Sequence, residues 1–307
     1  MVEKYNQTTI YRIPIFRGLF YKLVKYPILE FLYLLPGLFV VLPMLLVTTK
    51  PKIIHAHGLV AGAVSVFWSK IFGLKSIIST HSIYNFPKSG IYTSYIKTIL
   101  ENADQILCLS HQSVKEIVSL GIDKAKVTNF TYWINLEKFK PSKPKNKIFT
   151  VLFVGRLVKE KGVIELLAAA KKWNKNIKLL IAGTGPLAGE IPAENYLGAV
   201  SQQELPNIYS QSSITIVPSI HDEGFGRVIL ESLACGTPVI GSKRGAIPEA
   251  MDETVGELID ITVENIVKSV NYWYSHPQRL AKLAKNSRAF ALKRYSDKNA
   301  EKIICYY

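Results

Sequence analysis

The sequence predicts an α/β protein with two Rossmann-like, doubly wound domains. From Lys52 onward, short apolar strands alternate with helical patterns, as in parallel sheets covered by helices on both faces. The alternation pauses once, over 135–147, where Pro, Lys and Asn replace large apolar residues. The 307 residues, 48% of them hydrophobic, are enough for two cores of ordinary size.

The first series of elements precedes the pause. KIIHAHG and KSIIST are predicted strands on either side of the helix LVAGAVSVFWSKIFG, which Gly73 ends. QILCLS is a third strand, and the helix HQSVKEIVSLG follows it and closes at Gly121. We therefore place a first domain at 1–142, with the pause as an interdomain linker.

The second series follows the pause. FTVLFVG, KLLIAG, SITIVPS and PVIGS are predicted strands, and GVIELLAAAKKW and GRVILESLAC are predicted helices. We place this second domain at 143–295. Ligands of such sheets bind outside the carboxyl ends of the strands, so the loops there are where we expect the chemistry.

The net charge of +15 is concentrated in the first part of the chain. Residues 1–145 hold 18 Lys and Arg against 7 Asp and Glu, and a basic surface favours phosphates in nucleotides, nucleic acid or anionic lipid. Nucleic acid is disfavoured because no aromatic and basic repeat shares one face. The three scattered cysteines fit a reducing cytosol, and the N-terminal residues lack the order of a signal peptide.

The apolar run 31–47, FLYLLPGLFVVLPMLLV, contains no charge. Lys22 and Lys25 precede it and Lys50 and Lys52 follow it. It is slightly short for a bilayer span, and its two prolines disturb a helix. Three interpretations stay open: a full span, a buried core helix, or a monotopic patch that enters one leaflet while lysines meet lipid head groups.

Two of the strand-end loops offer cations and glycines. GRLVKEKG leaves a strand at Gly155 and delivers Arg156 and Lys161 before a helix. Arginine suits a bidentate phosphate contact, and lysine acts as a point charge. AGTGP places Gly183 and Gly185 in a turn that permits close approach to a ligand.

A third loop, HDEGFGRVILESLACG, places Glu223 and Glu231 on either side of the glycines Gly224 and Gly226 at a helix start. Main-chain N–H groups at such a start bind a diphosphate. A carboxylate beside a diphosphate is repelled unless it faces hydrogen-bond donors, and sugar hydroxyls are donors. The two acids therefore indicate a ligand of the form nucleoside, diphosphate, sugar, with Glu231 on the ribose and Glu223 on the sugar.

We predict no metal and no cofactor. The chain has no Asp-x-Asp pair for a nucleotide-bound metal, so protein cations and a helix dipole would stabilise the diphosphate. His55 and His57 share one strand face without a third ligand, and we interpret them as structural. His221 and Asp222 adjoin the expected sugar site and are possible contacts.

These motifs resemble a known family. GFG between the two acids, ESLACGTPVI, GAIPE, GRLVKEKG and AGTGP are similar to the retaining nucleotide-sugar glycosyltransferases of the two-domain GT-B group, of the group 1 and family 4 type. The resemblance is specific over 153–249 and weaker back to Lys52.

The resemblance implies a metal-independent hexosyltransferase with its donor held between two Rossmann-like domains. Glu231 would bind ribose, Glu223 the donor sugar, and Arg156 and Lys161 the diphosphate. Gly224, Phe225 and Gly226 would frame the phosphate pocket, His81 would face the donor sugar, and 296–307 would be a helix that crosses back to the first domain. The apolar run and the basic first part of the chain favour a lipid-linked sugar or a phospholipid as the acceptor, in polysaccharide or glycolipid synthesis, and a soluble sugar stays open. The protein would be cytoplasmic and peripheral on the inner face of an anionic membrane.

The sequence departs from the family pattern in two places. MVEKYNQTTIYRIP shows neither the usual first strand nor its glycine loop, so the first domain looks shortened and incomplete. YWINLEKF places Trp133 and Asn135 where the family has a small turn. Two alternative functions follow: a dinucleotide-dependent oxidoreductase, suggested by GTGPLAG after a strand, and a non-catalytic membrane-associated binder derived from a truncated transferase.

Overall fold

The described part of the chain forms two compact units. The computed structural model describes residues 2–13 and 27–307. The first unit holds the described residues up to Cys108 with Ser113–Asn129 and Tyr307, and the second holds Leu109–Gln112 and Phe130–Tyr306.

The first unit begins with a β-hairpin. Strands β1 (Val2–Tyr5) and β2 (Thr8–Tyr11) pair antiparallel in a sheet of their own, and Asn6 in the turn has a φ of 52°. The sequence pattern did not predict this hairpin, which lies outside the parallel sheet. That the first domain lacks its usual first strand and glycine loop stays a prediction. A two-residue turn with a left-handed asparagine pairs strands that are too polar to be predicted as a sheet core.

Helix α1 (Pro27–Thr49) runs without interruption through the apolar segment, although it contains Pro36 and Pro43. The stretch Phe31–Thr49 has a mean hydropathy of 2.3, and only 11% of it is buried. By length and composition the helix could cross a membrane. A core helix would be mostly buried, so this exposure does not fit the core-helix interpretation. Lys22 and Lys25, the cations before the run, lie outside the described residues.

The rest of the first unit is built on a four-stranded parallel sheet whose strands lie in chain order. Its two inner strands are almost entirely buried, as in a covered parallel sheet. At Gly62 a β carbon would come within 2.9 Å of the Ile78 side chain, so glycine lets a helix pack closely on the sheet. The elements are β3 (Ile53–His57), α2 (Leu59–Phe72), β4 (Lys75–Thr80), α3 (Ile91–Asn102), β5 (Gln105–Cys108), α4 (His111–Ser119) and β6 (Val127–Asn129).

The second unit is built on a six-stranded parallel sheet in the order β12-β11-β10-β7-β8-β9. The chain enters at β7, adds β8 and β9 on one side, and then adds the last three strands on the other. The order therefore reverses between β7 and β10, and a crevice forms at such a switch point, outside the carboxyl ends of the strands. The elements are β7 (Thr150–Val154), α5 (Val163–Ala170), β8 (Lys178–Ala182), β9 (Tyr196–Gly198), α6 (Leu205–Gln211), β10 (Ile214–Val217), α7 (Arg227–Ala234), β11 (Val239–Ser242), α8 (Ile247–Ala250), β12 (Gly256–Ile259), α9 (Val263–Ser275), α10 (Pro277–Arg294) and α11 (Lys298–Ile304).

The predicted strands and helices of both series are present, and the prediction of an α/β protein with two Rossmann-like domains is confirmed. The sequence pattern did not identify α3. Only a narrow stripe of that helix is buried, at Thr93, Ile96, Ile99 and Leu100, and its remaining residues are too polar and mixed to predict a helix.

The segment expected as a linker is irregular, and it packs within the second unit. Phe139 is buried, and the Arg288 guanidinium donates to its carbonyl oxygen at 2.7 Å. Lys145 donates to the Thr237 hydroxyl at 2.6 Å, and burial lowers the pKa of this lysine to about 8. Because of such contacts the compact units change at Asn129, before the expected boundary at 142/143.

Candidate functional site

Three loops leave the carboxyl ends of β7, β8 and β10, and two of them meet through their main chains. Gly155, directly after β7, donates its N–H to the carbonyl oxygen of Ala182 at 3.0 Å. Gly183, directly after β8, has a φ of 146°, and a β carbon there would lie 1.8 Å from the Gly155 carbonyl oxygen. A β carbon at Gly185 would lie 2.5 Å from the Leu157 carbonyl oxygen. These glycines therefore hold together the loops after β7 and β8, beside the switch point, and their contact with a donor stays a prediction.

The loop after β7 carries the two predicted cations. Arg156 is exposed, and Lys161 ends a single 3₁₀ turn that begins at Lys159. Gly162 follows with a φ of 68°, and a β carbon there would lie 1.8 Å from the carbonyl oxygen of Pro218. Only glycine permits this approach, which brings Lys161 against the loop that follows β10.

Glu223 lies in that loop, and its carboxylate is buried together with two donors. Oε1 of Glu223 forms an ion pair with Nζ of Lys161 and accepts a hydrogen bond of 2.5 Å from the Ser219 hydroxyl. The side chains of Lys161 and Glu223 are only 19% and 11% exposed. The structure therefore brings Lys161, predicted at the diphosphate, into contact with Glu223, predicted at the sugar.

The main chain around Glu223 is also fixed. Ala246 donates its N–H to the Glu223 carbonyl oxygen at 2.9 Å, and Gly245 donates to the Asp222 carboxylate at 3.1 Å. A β carbon at Gly245 would lie 2.4 Å from the Glu223 nitrogen. His221 contacts the Glu160 carbonyl oxygen through Nδ1 at 2.8 Å. Both residues predicted as possible sugar contacts thus have roles in holding the loop.

Two opposing effects set the ionisation of Glu223. Burial alone would raise its pKa, but the Lys161 charge and the hydrogen bonds from Lys161 and Ser219 outweigh it, so the pKa lies below its usual value. The carboxylate is therefore charged at neutral pH. A buried negative charge next to a lysine is suited to a polar ligand that carries both hydroxyls and phosphate.

The glycines before α7 set the start of that helix. Gly226 caps it with a φ of 76°, so its main chain adopts a left-handed conformation that favours glycine. The Phe225 side chain is buried and packs edge-on against Tyr132 and Tyr295, with ring centroids 5.9 and 6.2 Å away. Phe225 therefore offers a phosphate only its main chain, as does Gly224.

Glu231 lies just over one turn into α7 and is buried. The fully buried Tyr209 donates its hydroxyl to Oε2 of Glu231 at 3.0 Å. The exposed Arg227 approaches the other oxygen at 3.8 Å. Burial raises the pKa of Glu231, and the hydrogen bond from Tyr209 and the charge of Arg227 only partly oppose this shift.

Sequence reasoning missed the residues that partner the two acids. Ser219 ends the strand motif SITIVPS and carries a hydroxyl at the carboxyl end of a strand, which is a usable signal. Tyr209 lies 22 residues before Glu231, in a helix that the pattern did not single out. No local spacing predicts that contact.

His81 directly follows β4 in the first unit, in contact with a second histidine. Nδ1 of His57 lies 2.8 Å from Nε2 of His81, and the rings stack. The ring of His55 stacks on His57, and its Nε2 lies 2.6 Å from the Ser79 hydroxyl. Burial lowers the pKa of all three histidines, to about 4 for His55. A role of His81 at a donor sugar stays a prediction.

Across residues 2–13 and 27–307, no three His, Cys, Asp or Glu side chains are grouped so that they could hold a metal ion.

Family comparison identifies the fold of the second unit. Residues 135–290, about half of the chain, match the family model described as glycosyl transferases group 1. The chain belongs to this family. Residues 6–138 of this group 1 glycosyltransferase match a second model, glycosyltransferase family 4. Membership contradicts the alternative of a dinucleotide-dependent oxidoreductase.

Three relatives illustrate the range of the family. The chain is 25% identical over 220 residues to the phosphatidylinositol N-acetylglucosaminyltransferase gpi3 subunit of Schizosaccharomyces pombe, covering 65% of this chain and 48% of that protein. It is 27% identical over 265 residues to a human protein that is also a phosphatidylinositol N-acetylglucosaminyltransferase subunit, covering 76% and 52%. It is 26% identical to a 41.2 kDa protein of the cps region of Klebsiella pneumoniae, covering 82% and 79%. The chain thus spans about half the length of the fission-yeast and human relatives.

Solved structures share the fold. Anabaena HepE in complex with UDP superposes with a TM-score of 0.78 at 19% identity, covering 88% of this chain and 81% of that one. Sucrose-phosphate synthase from Thermosynechococcus elongatus gives a TM-score of 0.77 at 23% identity, covering 89% and 77%. The group 1 glycosyltransferase therefore has the GT-B fold, as the resemblance implied.

Proposed function

We propose that this chain transfers a hexose from a nucleoside-diphosphate sugar to an acceptor hydroxyl. The observation that carries the proposal is the buried Lys161–Glu223 ion pair at the switch point between β7 and β10. A buried charge pair is a poor source of stability, because desolvation offsets most of its attraction. Its placement where doubly wound sheets bind ligands points to a role in binding or catalysis.

The donor would be held along the carboxyl edge of the sheet. The main chain of Gly224–Gly226 and the cations Arg156 and Lys161 would bind the diphosphate. Glu231 would accept hydrogen bonds from the ribose hydroxyls through the oxygen that Tyr209 does not occupy. Glu223 would accept hydrogen bonds from the sugar. Gly155, Gly183 and Gly185 would form the floor of the nucleotide site. The UDP complex of the Anabaena neighbour supports a nucleotide of this class.

The transfer would proceed with retention and without a metal or a cofactor. The bond from the anomeric carbon to the phosphate oxygen breaks, and the bond to the acceptor oxygen forms on the same face. The acceptor proton passes to the leaving phosphate oxygen. Arg156 and Lys161 would stabilise the charge that develops on the diphosphate, a contact stronger in the transition state than in the ground state. His81 would contact the donor sugar from the first domain.

The acceptor would be a lipid-linked sugar or a phospholipid. Two relatives are named as phosphatidylinositol N-acetylglucosaminyltransferase subunits, and the basic first part of the chain fits an anionic surface. We place the protein at the cytoplasmic face of a membrane, with a returning segment at 296–307.

Nucleotide binding tests the proposal directly. The melting temperature is measured with UDP, GDP and ADP and with their hexose conjugates. A matching ligand at 100 times its Kd adds about 2.7 kcal/mol to the free energy of unfolding, a rise of several degrees.

Three variants make the test specific. Glu231→Gln should weaken the response to the nucleotide itself, because the ribose hydroxyls lose a charged acceptor. Glu223→Gln should keep that response and lose the further rise that the hexose provides. The exposed Glu194→Gln is the control and should behave as wild type. If none of the nucleotides changes the melting temperature of the wild-type protein, the proposal is wrong and a non-catalytic binder is favoured. Where a donor binds, the anomeric configuration of the product, read by NMR, tests retention.

A further inference from the structure

Helix α1 (Pro27–Thr49) presents an apolar stripe away from the rest of the first unit. The exposed residues follow one another at intervals of three, four or eight positions, which places them on one face of the helix. Their side chains are between 40% and 68% exposed, and the stripe consists of Leu29, Leu32, Val40, Met44 and Val47.

The stripe is unusually apolar for a helix face that is exposed to solvent. The outward face of a helix in a globular protein is usually polar, and contiguous exposed apolar surface marks an interaction site. At 1.5 Å per residue the stripe is about 27 Å long. A continuous apolar helix face of this kind can lie along one leaflet with its side chains in the hydrocarbon.

The opposite face of α1 is fixed to the unit. The Trp68 indole on α2 donates to the Phe39 carbonyl oxygen at 3.1 Å, and the Phe39 ring packs at 4.9 Å from that of Phe67. Phe31 packs edge-on against Tyr95 of α3, with centroids 5.5 Å apart. The stripe is therefore held in one orientation.

An apolar cavity of about 300 Å³ opens beside the stripe, between α1 and α3. Leu32 belongs to both the stripe and the cavity wall, and Ile91 at the rim is 92% exposed. Hydrocarbon is the ligand chemistry that fits such walls, which include Phe31, Leu35, Pro36 and Tyr92.

A second cavity of about 460 Å³ lies next to the first, because Leu35 and Tyr95 line both. It reaches Lys70 on α2, which is exposed. Lys50 and Lys52, also exposed, directly follow α1. An apolar groove that leads to a lysine matches a molecule with an aliphatic chain and an anionic head group.

We propose that α1, α2 and α3 form a lipid site, in which the stripe enters the leaflet of an anionic bilayer and the two cavities hold one aliphatic chain of a phospholipid beside Lys70. The site deepens the proposed function, since it would bring a lipid-linked acceptor to the protein. It does not require that transfer occurs, so vesicle binding and nucleotide binding are tested separately.

Vesicle flotation tests the bilayer contact. The full chain is mixed with vesicles of phosphatidylcholine alone or with phosphatidylglycerol. Leu32→Asp/Val40→Asp should lower binding by at least about tenfold, because an aspartate in hydrocarbon costs a few kcal/mol. Leu292→Asp, an exposed leucine of α10, is the matched control and should bind as wild type. Lys70→Met should reduce the preference for phosphatidylglycerol, whereas the exposed Lys285→Met should not.

A phosphatidylglycerol with a diazirine in its acyl chain tests the cavity. Crosslinks should map to residues 31–36 and 91–95. The proposal is overturned if the crosslinks spread evenly over the chain. It is also overturned if the stripe variant, Leu32→Asp/Val40→Asp, binds vesicles as well as Leu292→Asp does. A wild-type dimer that the stripe variant converts to a monomer would instead assign the stripe to a second copy. Unchanged melting temperatures and nucleotide responses show that the variants fold.

Discussion

Replacing Lys161 with methionine tests the physics of the switch-point site. The substitution keeps the length of the side chain and removes the charge that compensates the buried Glu223 carboxylate. Breaking a buried ion pair by removing one partner costs about 3–5 kcal/mol. Because the two side chains retain 19% and 11% exposure, we expect the lower end of that range in the free energy of unfolding at neutral pH.

The dependence on pH has a definite sign. In the wild type the pKa of Glu223 is lowered, so its contribution to stability is present above the unfolded pKa of about 4.5 and is lost as the pH falls through the folded value. Without Lys161, burial dominates and raises that pKa, and the variant then loses stability as the pH rises above 4.5. The difference between wild type and Lys161→Met should therefore be small in acid and grow toward neutral pH.

Denaturant unfolding from acid to neutral pH measures this difference. Lys159→Met, on the same 3₁₀ turn but exposed, is the control and should cost less than about 0.5 kcal/mol. The double variant Lys161→Met/Glu223→Gln should recover most of the loss, because no buried charge is left unpaired. A loss that does not change with pH, or one below about 1 kcal/mol at neutral pH, would refute the reasoning.

Three further predictions concern other parts of the chain. Glu231→Gln should stabilise the ligand-free protein relative to wild type as the pH rises above 4.5. The raised pKa of Glu231 means that its charged form is unfavourable in the folded state. Equal stability of the two proteins at neutral pH in denaturant unfolding would contradict this. Gly183→Ala should lower the melting temperature, because the added β carbon would meet a carbonyl oxygen. Gly189→Ala is the control and should leave the melting temperature unchanged, because the space around Gly189 is open. The melting curves of the two variants test this difference. His55 has a lowered pKa of about 4, so the wild type should lose stability as the pH falls from 6.5 toward 4, and His55→Gln should flatten that loss in the acid titration.

The sequence predicted the position of the candidate loops better than the contacts between their side chains. The strand ends, the glycines and the two acids are local features, and each loop lies at the sheet edge that the pattern predicts. The contact of Lys161 with Glu223 joins residues 62 positions apart. It depends on the close approach of Gly162 to Pro218, which no local pattern encodes.

Other differences have similar causes. The N-terminal hairpin depends on one turn at Asn6 and not on an apolar strand pattern. Phe225 was expected to frame a phosphate pocket, and its side chain is buried because a large aromatic ring with two aromatic neighbours is more stable in the interior; its main chain stays a predicted part of that pocket. His57 was interpreted as structural, and its contact with His81 follows from neighbouring strand ends, since His57 pairs with Ser79 across β3 and β4.

The hydrogen bonds of Arg288 determine where a truncated fragment of this chain should start. Its guanidinium donates to the carbonyl oxygens of Leu136, Phe139 and Ala234 at 2.7–3.0 Å. A recombinant fragment that starts at residue 143 would strip two of these three acceptors and remove the ring of Phe139, whose centroid lies 6.5 Å from that of Tyr209. Because Tyr209 in turn donates a hydrogen bond to the carboxylate of Glu231, such a truncation would loosen the packing around Glu231. Cutting before Phe130 keeps that support intact.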